Sequence, residues 1–342
     1  MGPSFKKILL PALTLLVTLT VMGVGAEILL RVAGREAWTH IADNPDHPVI
    51  FQADSTLGWR HKPGDYVFPP FWPRGPEVHM RFLEDGSRNT GTPPDAGPDT
   101  LVAVGGSFTE GFAISDHQTF SARIQQRFPE VTVKNFGTGA YGTYQSLLML
   151  EEILGGGPAP IIALYGFFEG HELRNVATAE WLRFLSRHAR RHGSAIAIPY
   201  ATFDSNGTLL RHPPEPYPRW PLRARSATLT FLQDLYAQQR IGPREGQAAT
   251  VTRRLIVEMN RLCETQGVSF AVVLLNMTPN NRRDYASFLT GQEVPYLDCA
   301  LPLSPADQVQ RDGHPNAAMN TRWANCIAPG VARALERRAA SR

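Results

Sequence analysis

From Asp99 onward, short apolar runs rich in β-branched residues alternate with stretches whose apolar positions recur every three to four residues. The strand-like runs fall at Thr100–Val104, Val131–Phe136, Pro160–Phe167, Val268–Asn276 and Val294–Leu297. The helical patterns fall near Asp116–Phe128, Tyr144–Leu154 and Asn281–Thr290, with Ala317–Arg338 as a closing helix. Runs that are apolar at nearly every position suit strands covered on both faces, and strict alternation with helices predicts parallel pairing through crossover connections. The expected fold is therefore a three-layer α/β/α domain with a central parallel sheet. In such sheets ligands bind beyond the carboxyl ends of the strands. Ser107, Ala140, His171 and the loop carrying Asp312 and His314 all fall at those ends.

Three parts of the chain lie outside the alternation. Residues 32–98 are rich in Pro, Gly and aromatics without a strong period, and are expected to wrap the domain or cap its site. Residues 176–250 read as an insertion between the third and fourth core strands, with a basic helix bearing Arg183, Arg187, Arg190 and Arg191 and a Pro/Trp/Tyr loop at Tyr200–Pro221. Its basic face is either a solvated surface or an attractor of an anionic glycan or lipid headgroup, with Trp181, Tyr217 or Trp220 as stacking platforms for sugar rings. At the N-terminus, Lys6 and Lys7 precede an uncharged run from Ile8 to Ala26, nineteen positions that span roughly 28 Å as a helix, close to a bilayer core. Residues 1–31 are thus a membrane anchor or a cleaved signal, Val24-Gly25-Ala26 offering small residues at a cleavage point. Lysines before the run put the N-terminus in the cytoplasm and the rest of the chain on the outer side of the cytoplasmic membrane.

Composition narrows this picture a little. After the anchor about 310 of the 342 residues remain, enough for one large domain. The net charge of +3 gives no reason to expect nucleic acid as a partner. Three cysteines do not make a disulfide scaffold. Cys299 and Cys326 could meet as one bridge with Cys263 free, or all three are buried thiols. No Cys/His cluster has metal-ligand spacing, so neither a metal nor another cofactor is expected.

The candidate chemistry begins at Leu101–Gly111. A strand stops at Gly105-Gly106, a tight turn follows, and Ser107 stands exposed where a helix starts, a placement that suits a nucleophilic hydroxyl. Arg311-Asp312-Gly313-His314 lies just before the last helix. Serine early with aspartate and histidine late is one of several chain orders that assemble a catalytic triad. Gly137-Thr138-Gly139-Ala140-Tyr141-Gly142 also spells the dinucleotide pattern G-x-G-x-x-G. It follows the second strand of the domain and not the first, and no acidic residue lies about twenty positions on at a strand end, which disfavours that reading.

Together these segments resemble the SGNH/GDSL hydrolases. Gly105–Gly111 is similar to the family's first block, Asn135–Gly142 to the second, Phe168–Leu173 to the third, and Asp312 with His314 to the last. The resemblance implies a flavodoxin-like SGNH hydrolase fold over residues 99–342, after an N-terminal transmembrane helix. It implies Ser107 as nucleophile, His314 as base and Asp312 as its partner, with an oxyanion hole from the N–H of Ser107, the N–H of Ala140 and the ring of His171. Gly106 stands where the family commonly has aspartate, Ala140 where it has glycine, and His171 where it has asparagine. Asp312 precedes His314 by two residues instead of three, as in the branch that includes alginate O-acetyltransferase-like proteins. Glu27-x-x-x-Arg31 and Leu57–Pro63 resemble membrane-anchored members. The implied activity is an exported serine esterase that removes short acyl groups, O-acetyl above all, from envelope carbohydrate. The alternatives are an O-acyltransferase with the same triad and an acyl-donor partner, or a weakly active glycan-binding or polysaccharide-assembly protein.

Overall fold

The computed structural model describes residues 3–41, 44–93, 95–188 and 196–340. Helix α1 (Pro3–Val32) touches the body of the protein near its carboxyl end, and two small antiparallel hairpins follow, β1 (Phe51–Asp54) with β2 (Gly58–His61) and β3 (Gly64–Phe68) with β4 (Val78–Phe82). The core then runs β5 (Thr100–Gly105), α2 (Ser107–Glu110), α3 (Phe120–Arg127), β6 (Thr132–Asn135), α4 (Thr143–Gly155), β7 (Ile162–Phe168) and α5 (His171–Asn175). The segment after it carries α6 (Ala179–His188), a hairpin of β8 (Ala197–Phe203) and β9 (Leu209–Pro216), and α7 (Ala227–Ile241). The chain closes through α8 (Ala248–Thr265), β10 (Ser269–Asn276), α9 (Pro279–Gly291), β11 (Tyr296–Asp298) and α10 (Ala317–Ala340).

Five strands form one sheet in the order β11-β10-β7-β5-β6, every neighbouring pair parallel. Counted along the domain this is 2-1-3-4-5, a doubly wound sheet whose connections diverge between β5 and β7. Side chains alternate across it. Val102, Val104, Tyr165, Phe167, Val272 and Leu274 face a core shared with α4 and α8, while Leu101, Ile162, Leu164, Val273 and Leu275 face α3 and α10. Both faces are covered, which is why the strands are apolar throughout and were legible as continuous runs.

Each core strand and helix expected from the pattern is present, and with one exception their ends shift by no more than two residues. The exception in kind is the stretch at Asp116–Phe128, where a 3-10 turn at Asp116–Gln118 precedes α3. Cys299 and Cys326 form a disulfide with Cα atoms 5.8 Å apart, and Cys263 is buried and free. Of the four arginines assigned to a basic helix, Arg183 and Arg187 lie on α6. Arg190 and Arg191 lie outside the described residues. Arg183 pairs with Asp234 of α7 and Arg187 donates to the carbonyl of Thr39, so these two cations bind elements together.

Candidate active site

Ser107 is the first residue of α2, at the carboxyl end of β5 and beside the point where the sheet's connections diverge. Backbone crowding dictates the two glycines before it. A β-carbon at 105 would lie 2.2 Å from Oγ1 of Thr109 and 2.7 Å from the carbonyl of Gly166; at 106 it would lie 2.7 Å from Nε2 of His171. Three buried groups then hold the turn. The guanidinium of Arg88 donates to the carbonyls of Glu110, Gly111 and Ile114 and pairs with Asp116. The amide of Asn135 donates to Thr109 O at 2.8 Å while its carbonyl accepts from Gly137 N at 2.9 Å, joining the nucleophile turn to the loop after β6. His61, stacked between Phe51 and Phe82, meets the carboxylate of Glu110 at 3.0 Å, which ties the β2 strand to the same turn. Serine placed by a tight strand-to-helix turn and held by buried groups beneath it is a geometry suited to nucleophilic attack.

Asp312 and His314 meet as expected from their spacing. Oδ1 of Asp312 accepts from the ring Nδ1 of His314 at 2.6 Å and from its backbone N–H at 3.1 Å. That bond assigns the proton to Nδ1 and leaves Nε2 as the acceptor. Phe112 and Phe108 pack their rings 5.0 and 6.0 Å from the imidazole. Ser107 and His314 line one cavity of about 380 Å³, without a direct hydrogen bond between hydroxyl and imidazole in this conformation. Catalytic bonds are commonly loose before substrate binds.

The rest of the cavity wall comes from three directions. Phe51, Gly58 and Trp59 reach in from the first hairpin, Gly139 and Ala140 from the loop after β6, and Trp181, Phe184 and Leu185 from α6. Ala140 sits at φ +67°, the left-handed region that glycine adopts without penalty. Among the described residues the backbone N–H groups of Ser107 and Ala140 have no protein acceptor, so both are free to donate.

His171 is where the sequence expectation fails. Its ring is fully buried and does not line the cavity. Nδ1 bonds the hydroxyl of Tyr165 at 2.7 Å, and Nε2, without a partner, abuts Gly106. Burial, aided by the nearby Arg174 cation, holds the imidazole well below its ordinary pKa and therefore neutral. The side chain that does enter the cavity is Arg174, one helical turn further along α5. Its guanidinium lies between Phe168 and Trp181, 4.8 and 4.6 Å from their ring centres, and donates to Tyr141 O at 2.9 Å. Burial lowers its pKa to about 10, so it stays a cation at neutral pH. The signal is present in the sequence, since i and i+3 share a helix face.

Two of the expected sugar platforms are elsewhere. Tyr217 is buried, stacked on Trp38 and bonded to Asp234, and Trp220 lies against Tyr236. Trp181 alone of the three faces the cavity. Among the described residues no group of three or more His, Cys, Asp or Glu is arranged to hold a metal ion.

No family model matches the chain. No curated protein matches it either. Solved structures do. TesA is similar with 13% identity, covering 69% of this chain and 99% of its own, at a TM-score of 0.42. The psychrotrophic esterase EstA from Pseudoalteromonas sp. is similar with 9% identity, over 70% and 99% of the two chains, at a TM-score of 0.40. The acetylxylan esterase Axe2 from Geobacillus stearothermophilus is similar with 9% identity, over 68% and 94%, at 0.39. Other solved structures like this chain are named as members of the lipolytic G-D-S-L family or as an SGNH-hydrolase family esterase.

Proposed function

We propose that this chain is a serine ester hydrolase, anchored by α1 with its catalytic domain on the outer side of the cytoplasmic membrane, and acting on acyl esters of envelope carbohydrate. The observation that carries the chemistry is the Asp312–His314 pair at 2.6 Å opening onto the cavity that Ser107 also lines. Ser107 Oγ attacks the ester carbonyl and its proton passes to Nε2 of His314, whose positive charge Asp312 stabilises. The tetrahedral oxyanion takes the N–H groups of Ser107 and Ala140. Arg174 is the third donor, in the role that the sequence had assigned to His171. A cation beside a developing negative charge in an apolar cavity stabilises it strongly, because little water competes. The leaving alcohol recovers the proton, and water then repeats the cycle on the acyl-serine.

Two further observations support the setting. An 18-residue window within Leu9–Val32 has a mean hydropathy of 2.1 and none of that window is buried in the protein, so it is suited to lipid. The Cys299–Cys326 disulfide belongs with an oxidising compartment. The mostly apolar cavity is in the size range of small-molecule sites and has room for acyl groups longer than acetyl. Transfer of the acyl group to a sugar hydroxyl is the second reading, favoured by how few polar groups in the wall could hold a hydrolytic water.

A series of nitrophenyl esters of increasing acyl length tests the reading. The parent should hydrolyse them with an optimum beyond acetate, and Ser107→Ala should not. Activity of Ser107→Ala within about tenfold of the parent would remove the serine from the mechanism. Acetate release from an acetylated sugar, with and without a sugar acceptor, separates hydrolysis from transfer.

A further inference from the structure

The end of α1 is fastened to the catalytic domain at one place. The carboxylate of Glu27 accepts from Ser226 Oγ at 2.8 Å and from the N–H groups of Ala227 and Thr228 at 2.9 Å each, filling the amino terminus of α7. Arg31 closes the joint, bonding Glu27 at 2.7 Å and the carbonyl of Arg225 at 3.3 Å. Glu27 is the first charged residue after the apolar run. If the run spans the bilayer core, the first turn of α7 sits at the level of the headgroups.

From that joint α7 presents an unusual face. Thr230, Gln233 and Ala237 turn inward, while Phe231, Leu232, Leu235 and Tyr236 are 39 to 45% exposed. At 1.5 Å per residue they lie roughly 6–13 Å along the helix from its amino terminus. The turn before α7 adds Leu222, 61% exposed, and the exposed Arg219 and Arg225. Trp220 packs 5.8 Å from Tyr236. Beside the joint, a cleft of about 200 Å³ carries Arg35, Arg183 and Arg187. Apolar side chains with aromatic and arginine neighbours at the end of a span are the signature of the bilayer interface, where ring and cation face headgroups.

We infer that the outer row of α7 and the turn at Trp220–Arg225 lie on the surface of the bilayer that α1 crosses, their apolar side chains among the upper acyl segments and their arginines on lipid phosphates. This rests on the anchored reading of α1 above. Its consequence concerns substrate. Helix α6 lines the catalytic cavity with Trp181, Phe184 and Leu185, and its Arg183 pairs with Asp234 of α7. The cavity therefore lies about one helix layer, on the order of 10 Å, from the membrane-facing helix. That is within reach of an ester whose acyl chain is held in the lipid.

The test uses the full chain in vesicles of phosphatidylcholine with a minor share of phosphatidylglycerol. Single variants Leu16→Cys in α1, Leu232→Cys and Leu235→Cys on α7, and Arg337→Cys on the opposite layer are labelled with an environment-sensitive fluorophore. Nitroxide-bearing lipids then serve as quenchers. Fluorescence should fall at Leu16, Leu232 and Leu235 and stay unchanged at Arg337. A loss at Leu16 with Leu232 and Leu235 behaving like Arg337 would overturn the docking and leave the anchor standing. No loss at Leu16 would overturn the anchor and the docking together.

Discussion

A β-carbon at position 106 would stand 2.7 Å from Nε2 of His171, so two departures from the SGNH pattern occupy the same space. The imidazole fills the volume that an aspartate at 106 would need, and glycine there is the complement of histidine at 171. Gly106→Asp should accordingly destabilise the fold by about 1–3 kcal/mol through overpacking. Adding His171→Asn should recover part of that loss. Thermal unfolding of the two single variants and the double one measures the coupling, and additive losses would contradict it. Arg174 makes a different prediction. As an oxyanion donor it acts in the transition state, so Arg174→Ala should lower kcat by roughly 10²–10³ with a smaller change in KM. A change confined to KM would make it a wall of the cavity and nothing more. Asp312→Asn should cost up to about 10⁴ in kcat, because the imidazole loses the acceptor that fixes its tautomer.

Among the elements, the strands of the central sheet were the most legible, since Leu101–Val104 and Phe270–Leu275 are apolar at every position for the simple reason that helices cover both faces. The hairpins β1–β2 and β3–β4 were not. Their strands are only four or five residues long, so even where burial alternates, as it does along β4, the run is too short to stand out from the surrounding Pro and Gly. Ser107, Asp312 and His314 were legible as candidates because their motifs are local. The supports of the nucleophile turn were missed because they are not: Arg88 and His61 come from 22 and 49 positions upstream of the groups they hold. Arg88→Ala would strand three buried carbonyls and unpair Asp116. A loss of about 3–5 kcal/mol in unfolding free energy is expected, with the remaining folded fraction slowed by a looser serine. The Cys299–Cys326 bridge closes a separation of 27 residues, which constrains the unfolded chain by about 3–4 kcal/mol. Replacing both cysteines with serine should lower the melting temperature without a comparable loss of kcat, neither cysteine being part of the cavity wall.

For the whole molecule, acid is the expected weakness. His171 is fully buried and held neutral, with a folded pKa below the ordinary 6.5. Between those two values the unfolded chain binds one proton more than the folded one, so stability is full above about 6.5 and falls as pH drops, by up to about 1.4 kcal/mol per pH unit. His171→Asn should flatten that slope; an unchanged slope would mean the ring is not buried as described. The same molecule joins an apolar helix, through Glu27, to a domain whose sheet holds the serine at its carboxyl ends, beside a cavity walled in part by α6. Everything proposed for its chemistry requires Ser107 to be an activated nucleophile. A fluorophosphonate applied to the full chain, followed by peptide mass spectrometry, tests this most directly. The adduct should form on Ser107, with labelling lost in Ser107→Ala and strongly slowed in His314→Ala. Failure of the parent to label, or an adduct on any other residue, would contradict the account.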